Sequence, residues 1–118
     1  MRRTVVQLER SAAGRIIAKK FSMPQFLILA NDFTDNEALQ RRLAAREQHL
    51  ARMRVEKEKG IFITGGAKLD NNNAMIGSML VVELESEEVV EQWVSQDPYI
   101  LGKVWDKVEI APFKVAQV

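Results

Sequence analysis

The sequence contains no cysteine and only one histidine, His49, among its 118 residues. Without cysteine the chain can form neither disulfides nor a thiol nucleophile, and a single histidine supplies too few ligands for a structural zinc site. No acidic spacing of the EF-hand type is present, although an all-carboxylate site for a hard cation stays open. We therefore predict a protein without metal or cofactor. Proton transfer near neutral pH would then fall to His49.

Long apolar runs are also missing, since no stretch approaches the roughly 18 residues that span a bilayer. Hydrophobic residues make up 47% and charged residues 28% of the chain, which is typical of one ordinary globular domain. Residues 23–118 carry 11 basic and 15 acidic side chains. This acidic balance argues against nucleic-acid binding, which relies on basic patches. We predict no membrane span and no nucleic-acid partner.

The basic excess lies in residues 1–22, which hold six basic side chains and one acidic one. Apolar residues recur there at a rough helical spacing, and the composition is typical of a mitochondrial transit peptide. The alternative is an N-terminal arm or added helix that packs on the domain. We predict a leader or arm at 1–22 and a domain at 23–118, in the mitochondrion or the cytoplasm.

Apolar patterning and turn residues divide the domain into six elements. They are strands at 24–30, 61–64, 75–85 and 104–115, with helices at 36–59 and from Ser86 to Asp97. Gly65-Gly66 is expected to end the second strand, and Pro112 to interrupt the last one. The order β-α-β-β-α-β predicts an α+β, ferredoxin-like sandwich with a four-stranded antiparallel sheet.

The strands at 24–30 and 75–85 are apolar on both faces. Two helices can cover only one face of the sheet, so the other face needs a second cover. Packing of this face against the sheet of a second copy is the economical solution. The pattern therefore predicts a homodimer, and with the ferredoxin-like fold a dimeric α/β barrel.

The helix at 36–59 carries an apolar stripe that is expected to face the core, formed by Leu39, Leu43, Leu50 and Met53. Arg46 falls in the middle of this stripe, and His49 lies one turn further on. A cation on a buried face lowers the stability of the fold unless it is paired with an anion or reaches solvent. Either the Arg46 stem covers the core while its head reaches solvent, or the helix lines a cavity that holds an anionic or polar guest.

Several short motifs, each weak alone, occur in one order over about four fifths of the chain. They are the segment MPQFLILANDF at 23–33, Arg46-x-x-His49-Leu50, Gly60, Ile63-Thr64-Gly65-Gly66, Ile76-Gly77-Ser78-Met79, Glu85-Ser86-Glu87-Glu88, Trp93, Asp97-Pro98-Tyr99 and Pro112-Phe113. With these motifs, residues 23–118 resemble the YciI-like (YCII-related) domain family of dimeric α+β barrels. The leader at 1–22 lies outside the resemblance.

The resemblance implies a cleft in which a histidine and an aspartate transfer protons, and these residues correspond to His49 and Asp97. Some relatives act as lyases or dehydrochlorinases on small ring compounds. The hypothesis is a cofactor-free enzyme in which Asp97 orients His49 and stabilises its charge.

A small oxygenated or anionic metabolite would be bound by a second group of residues, namely Arg46, Ser78, Tyr99 and the backbone of Gly65 and Gly66. Ser78 is otherwise a satisfied core hydroxyl, and Asp97 otherwise a turn residue before proline. The alternative function is a non-catalytic dimeric module that binds a small molecule or supports a partner. An imidazole and a carboxylate within hydrogen-bond reach in a concave pocket would favour the enzyme.

Overall fold

A four-stranded antiparallel sheet with α-helices on one face forms the body of the protein. The structure is a computed structural model that describes residues 7–10, 16–19 and 23–118. Its elements are β1 (Gln7–Arg10), β2 (Ile16–Lys19), β3 (Gln25–Asp32), α1 (Ala38–Glu58), β4 (Phe62–Leu69), β5 (Met75–Glu83), α2 (Glu87–Ser95), α3 (Pro98–Leu101) and β6 (Trp105–Phe113). The strand order β4-β5-β3-β6 is that of a ferredoxin-like fold. The predicted α+β class and its sheet are confirmed.

The N-terminal segment contributes a separate two-stranded sheet. β1 pairs with β2 in antiparallel register, with Gln7 opposite Lys19. These eight residues are therefore strands, and the helical spacing seen in the sequence does not describe them. The other residues of 1–22 lie outside the described residues. The leader or arm, and its role in targeting, stay predictions.

β3 is the centre of the sheet and sets the position of the core. It pairs with β5 on one side and β6 on the other, and alternate residues from Phe26 to Asp32 are buried. The side chains of this buried set meet those of α2 and of the segment around α3 in one continuous core. Leu27 and Leu29, on the opposite face, are only half-buried. No helix of the described residues is long and apolar enough to cross a membrane.

One expected strand boundary is wrong, the end of the second strand at Gly65-Gly66. β4 continues through Gly65 and Gly66 to Leu69. A Cβ atom at Gly65 would lie 2.5 Å from the carbonyl oxygen of Met79, so glycine serves the close approach of β4 and β5 and does not end the strand. β6 continues past Pro112 to Phe113, as expected of an edge strand, but without an interruption at Pro112, because an edge strand tolerates a missing N–H.

The face of α1 that meets the sheet differs from the predicted apolar stripe. Leu39 and Leu43 are 43% and 49% exposed. The buried positions are Ala38, Arg42, His49, Met53 and Glu56. The helix is rotated in this way because three polar side chains find partners beneath it, and an apolar pattern cannot anticipate such pairs.

Glu56 links α1 to α2 through one of these buried contacts. The indole Nε1–H of Trp93 donates to Glu56 Oε1 at 2.7 Å, and Lys59 Nζ lies 3.1 Å from Glu56 Oε2. Burial by itself would raise the pKa of Glu56. The hydrogen bonds from Trp93 and Lys59, with the positive charges of Lys59 and Arg52, outweigh burial and lower the pKa.

We expect Glu56→Gln to reduce the free energy of unfolding at pH 7 by about 1 kcal/mol. The ionised carboxylate stabilises the fold above its ordinary pKa of 4.5, and this stabilisation is lost as the pH falls through the lowered pKa. The variant should therefore lose less stability than wild type below about pH 5. Urea unfolding at several pH values measures this, with the exposed Glu58→Gln as the control. Equal acid sensitivity of wild type and Glu56→Gln would contradict it.

Candidate functional site

A cavity of about 190 Å³ lies between α1 and the sheet. Its lining combines apolar side chains with two arginines, a histidine, a serine and a tyrosine, and contains no carboxylate. The lining residues are Arg42, Arg46, His49, Leu50, Met53, Phe62, Gly65, Gly66, Ala67, Met75, Ser78, Leu80 and Tyr99. An apolar pocket with a few convergent polar groups is the usual form of a small-molecule site. The charge of this lining favours an anionic or oxygen-rich guest.

His49 lies in the wall of this cavity and is hydrogen-bonded from behind. Its Nδ1 is 2.8 Å from Asp97 Oδ1, and the side chain is only 9% exposed. A carboxylate only accepts hydrogen bonds, so Nδ1 carries the hydrogen and donates it. Nε2 is then the nitrogen left to exchange a proton with a molecule in the cavity.

Asp97 is held in place by the chain turn that contains it. It is the N-cap of α3, and Pro98 follows at the first helical position. Its Oδ1 accepts from the backbone N–H of Tyr99 at 2.9 Å, and its Oδ2 accepts from Arg52 Nη1 at 3.0 Å. The carboxylate is fully buried. These donors, together with His49, compensate the charge of the buried carboxylate.

Two aromatic rings fix the plane of the His49 imidazole. Tyr99 stacks on it with ring centroids 4.0 Å apart, and Trp105 meets it edge-on at 5.8 Å. Burial raises the pKa of the Tyr99 phenol, so this group is neutral at physiological pH. The imidazole is therefore held on three sides, by one carboxylate and two rings.

Arg42 is a residue of the site that sequence reasoning missed. Its Nη1 donates to both oxygens of Asp32, at 2.9 and 2.8 Å, and its Nη2 donates to Ser78 Oγ at 2.9 Å. The guanidinium also lies over the Tyr99 ring, 4.7 Å from its centroid. Burial raises the pKa of Asp32 and outweighs the opposite effect of Arg42. The sequence did contain one signal, because Asp32 lies at the end of a buried strand and a buried carboxylate needs a partner. The spacing of residues did not identify Arg42 as that partner.

The residues predicted from the sequence come together at this cavity. His49 and all five predicted binding residues line it, and Asp97 lies behind His49. Arg46 is exposed, and no residue of 23–118 pairs with its guanidinium by hydrogen bond or ion pair. Beyond the prediction, the structure adds Arg42, Arg52 and Trp105 to the polar surroundings of the site. In the same part of the chain, no three histidine or acidic side chains converge as metal ligands would.

Gly65 and Gly66 contribute to the cavity as part of β4. Backbone N–H groups of a strand lie roughly in the plane of the sheet, whereas the cavity lies over its face. A Cβ atom at Gly65 would lie only 3.0 Å from Phe62 Cε1, whereas a Cβ atom at Gly66 would meet nothing within 4 Å, so Gly66 is the glycine that leaves open space. Contact of the two backbones with a substrate stays a prediction.

Comparison with known proteins agrees with this architecture. The profile of the YCII-related domain matches residues 25–114. The chain belongs to the YCII-related domain family. Protein YciI of Escherichia coli is 34% identical over 95 residues, which cover 75% of this chain and 95% of that protein. An uncharacterized protein of Haemophilus influenzae is 33% identical over the same length.

One solved structure adds a chemical comparison. It is the 5-chloro-2-hydroxyhydroquinone dehydrochlorinase TftG of Burkholderia phenoliruptrix in complex with 2,5-dihydroxybenzoquinone. It superimposes with a TM-score of 0.66 at 27% identity, over 78% of this YCII-related chain and 95% of the dehydrochlorinase.

We expect Asp32→Ala to lower the free energy of unfolding by about 3 kcal/mol, because it leaves the buried Arg42 charge without its partner. The neighbouring pair Arg41–Asp35 has the same chemistry but is exposed. Asp35→Ala should therefore change stability much less. Urea unfolding of the two variants makes the comparison, and equal losses would show that burial of the Arg42 pair has no energetic consequence.

Proposed function

We propose that the protein is a cofactor-free enzyme that transfers protons on a small oxygenated or anionic ring compound. His49 Nε2 removes a proton from the substrate, and the electron pair stays on the substrate as an enolate or phenolate. Expulsion of a leaving group or return of the proton at another atom completes a lyase- or isomerase-type reaction. Neither route consumes an oxidant or a reductant.

The observation that carries the proposal is the contact between His49 Nδ1 and Asp97 Oδ1 at 2.8 Å, in the wall of a cavity. The carboxylate fixes the tautomer in which Nε2 is unprotonated, and it stabilises the imidazolium formed after proton transfer. A structural histidine would not require this arrangement at a concave surface. The geometry therefore favours the enzyme over a non-catalytic binding module.

The size and charge of the cavity support a single-ring substrate. A cavity of about 150 Å³ in another protein accommodates benzene, and the cavity here has about 190 Å³. The exposed Arg46 guanidinium and the Ser78 hydroxyl would bind a carboxylate or enolate oxygen. Tyr99 and the strand segment Gly65-Gly66 would complete the binding surface. The similarity to a dehydrochlorinase of a hydroxylated ring supports the same substrate class.

We further propose that two copies pack through the face of the sheet that the helices leave uncovered. Leu27, Leu29 and Met79 lie half-buried on that face. Burial of apolar side chains of this size against a second sheet would stabilise the dimer.

Hydrogen exchange at carbon tests the proton transfer directly. Wild-type protein in D₂O should accelerate the loss of ring C–H signals from hydroxylated quinones and phenols, including 2,5-dihydroxybenzoquinone, as followed by NMR. His49→Gln should reduce this rate by about 100-fold or more. Asp97→Asn should reduce it as well, because the amide no longer fixes the imidazole tautomer.

Asp35→Asn is the matched control. It also replaces an aspartate of an ion pair, but Asp35 is exposed and pairs with Arg41, not with His49. Circular dichroism should show that each variant remains folded. A His49→Gln protein that keeps the wild-type exchange rate would contradict the proposal. A wild-type protein that binds these compounds without exchange would favour the binding module.

For the dimer, sedimentation equilibrium should give twice the chain mass. Leu29→Lys should shift the protein toward monomer, because it places a charge in the proposed interface. Leu43→Lys is the control, since Leu43 is exposed on α1, away from that face. A wild-type monomer at micromolar concentration would contradict the proposed packing.

A further inference from the structure

The hydroxyl group of Ser78 is restricted to one hydrogen-bonding role by its neighbours. Ser78 lines the cavity and is 2% exposed. Its Oγ accepts from Arg42 Nη2 at 2.9 Å and from Trp105 Nε1 at 3.0 Å. A guanidinium and an indole N–H only donate, and a serine oxygen has two acceptor positions. Both positions are filled, so the group can only donate its own hydrogen.

That hydrogen has no acceptor among the residues that the structure describes. Buried polar groups are almost always hydrogen-bonded, and a hydroxyl at a cavity wall can complete its bonding with a molecule in the cavity. A second buried donor nearby, Arg42 Nε, is likewise without a partner in the described part of the chain. The cavity wall therefore has unused donor capacity.

We propose that Ser78 is a donor-only binding residue that selects substrates with a carbonyl oxygen or oxyanion on the ring. This inference rests on the proposed function and specifies its substrate class further. Arg42 and Trp105 are positioning residues, since they act through Ser78. Hydrogen bonds in a chain polarise one another, so two donors to the same oxygen strengthen the donation from its hydrogen.

Trp105 connects this donor with the histidine. Its Nε1 binds Ser78 Oγ, and its ring meets the His49 imidazole edge-on. The base and the donor are thus held by one rigid side chain. The substrate that fits both carries an exchangeable hydrogen near His49 and an acceptor oxygen near Ser78, as a hydroxylated quinone or its enolate does.

Two probes of similar size distinguish a donor-only residue from an ordinary serine. Ionised 2,5-dihydroxybenzoquinone presents charged oxygens that accept strongly, whereas neutral hydroquinone presents hydroxyl groups that donate and accept only weakly. Calorimetric titration gives the dissociation constant of each. We expect Ser78→Ala to weaken binding of the first probe about tenfold or more, because a hydrogen bond to a charged group is lost. Binding of hydroquinone should change about threefold or less.

Trp105→Phe provides a second variant that keeps the serine and an aromatic ring. It frees one acceptor position on Ser78 Oγ, so the hydroxyl can also accept from hydroquinone. The ratio of the two affinities should move toward hydroquinone by about threefold or more. A purely structural role of Trp105 would lower stability without changing this ratio. Ser95→Ala, an exposed serine at the end of α2, is the control and should leave both constants unchanged.

Unchanged affinity ratios in both Ser78→Ala and Trp105→Phe would overturn the donor-only role. Failure of wild-type protein to bind 2,5-dihydroxybenzoquinone would overturn the assigned ligand class. Either failure is separate from that of the proposed function, because proton transfer is tested by the effect of His49→Gln on hydrogen exchange. If Ser78→Ala does not fold, the Trp105→Phe ratio decides the matter.

Discussion

The arrangement of the helices depends on the hydrogen bonds that the buried carboxylate of Asp97 accepts. An ionised carboxylate removed from water costs several kcal/mol unless donors surround it. Here the donors come from His49 and Arg52 on α1 and from the backbone of Tyr99. α1 can therefore pack only where it reaches the turn between α2 and α3. The same constraint places the imidazole in the cavity wall.

A second buried charge ties α1 to the sheet in a comparable way. Arg42 extends from the helix to Asp32 at the end of β3 and to Ser78 on β5. Such pairs are weak evidence for stability, because apolar residues of similar size often pack as well or better. Their effect is on specificity, since only one rotation of α1 satisfies both Asp32 and Asp97. The same buried contacts therefore fix both the position of α1 and the geometry of the candidate site.

Membership in the YCII-related family accounts for the scaffold, whereas the chemistry has to be argued from the side chains. The fold brings together one imidazole, two arginines and a serine hydroxyl around a cavity of about 190 Å³. The proposed single-ring substrate is supported by the size of this cavity and by the similarity to a dehydrochlorinase at 27% identity. In the proposed enzyme, the residues of the cavity wall, and above all the hydrogen-bond donor Ser78, would discriminate between ring compounds.

Local patterns in the sequence predicted much of the fold. The element order, the Ser86 cap of α2, which accepts from the N–H of Val89, and the turn at Asp97-Pro98 all follow from short-range preferences. The boundary at Gly65 was wrong, because this residue is adapted to the close approach of β5, and the sequence does not identify the neighbouring strand. His49 stood out because it is unique, and its pairing with Asp97 was expected only from the family resemblance.

The sequence by itself therefore determined the class of fold and the candidate base. The tertiary structure alone decided which face of α1 is buried, because burial there follows polar partners and not apolar spacing. Leu39 and Leu43 were expected inside and are exposed, while Arg42 and Glu56 are buried with partners 36 or 37 residues away. Pairs so distant in sequence form only when strands and helices meet in space. For that reason the donor set around Ser78 could not be found from the sequence.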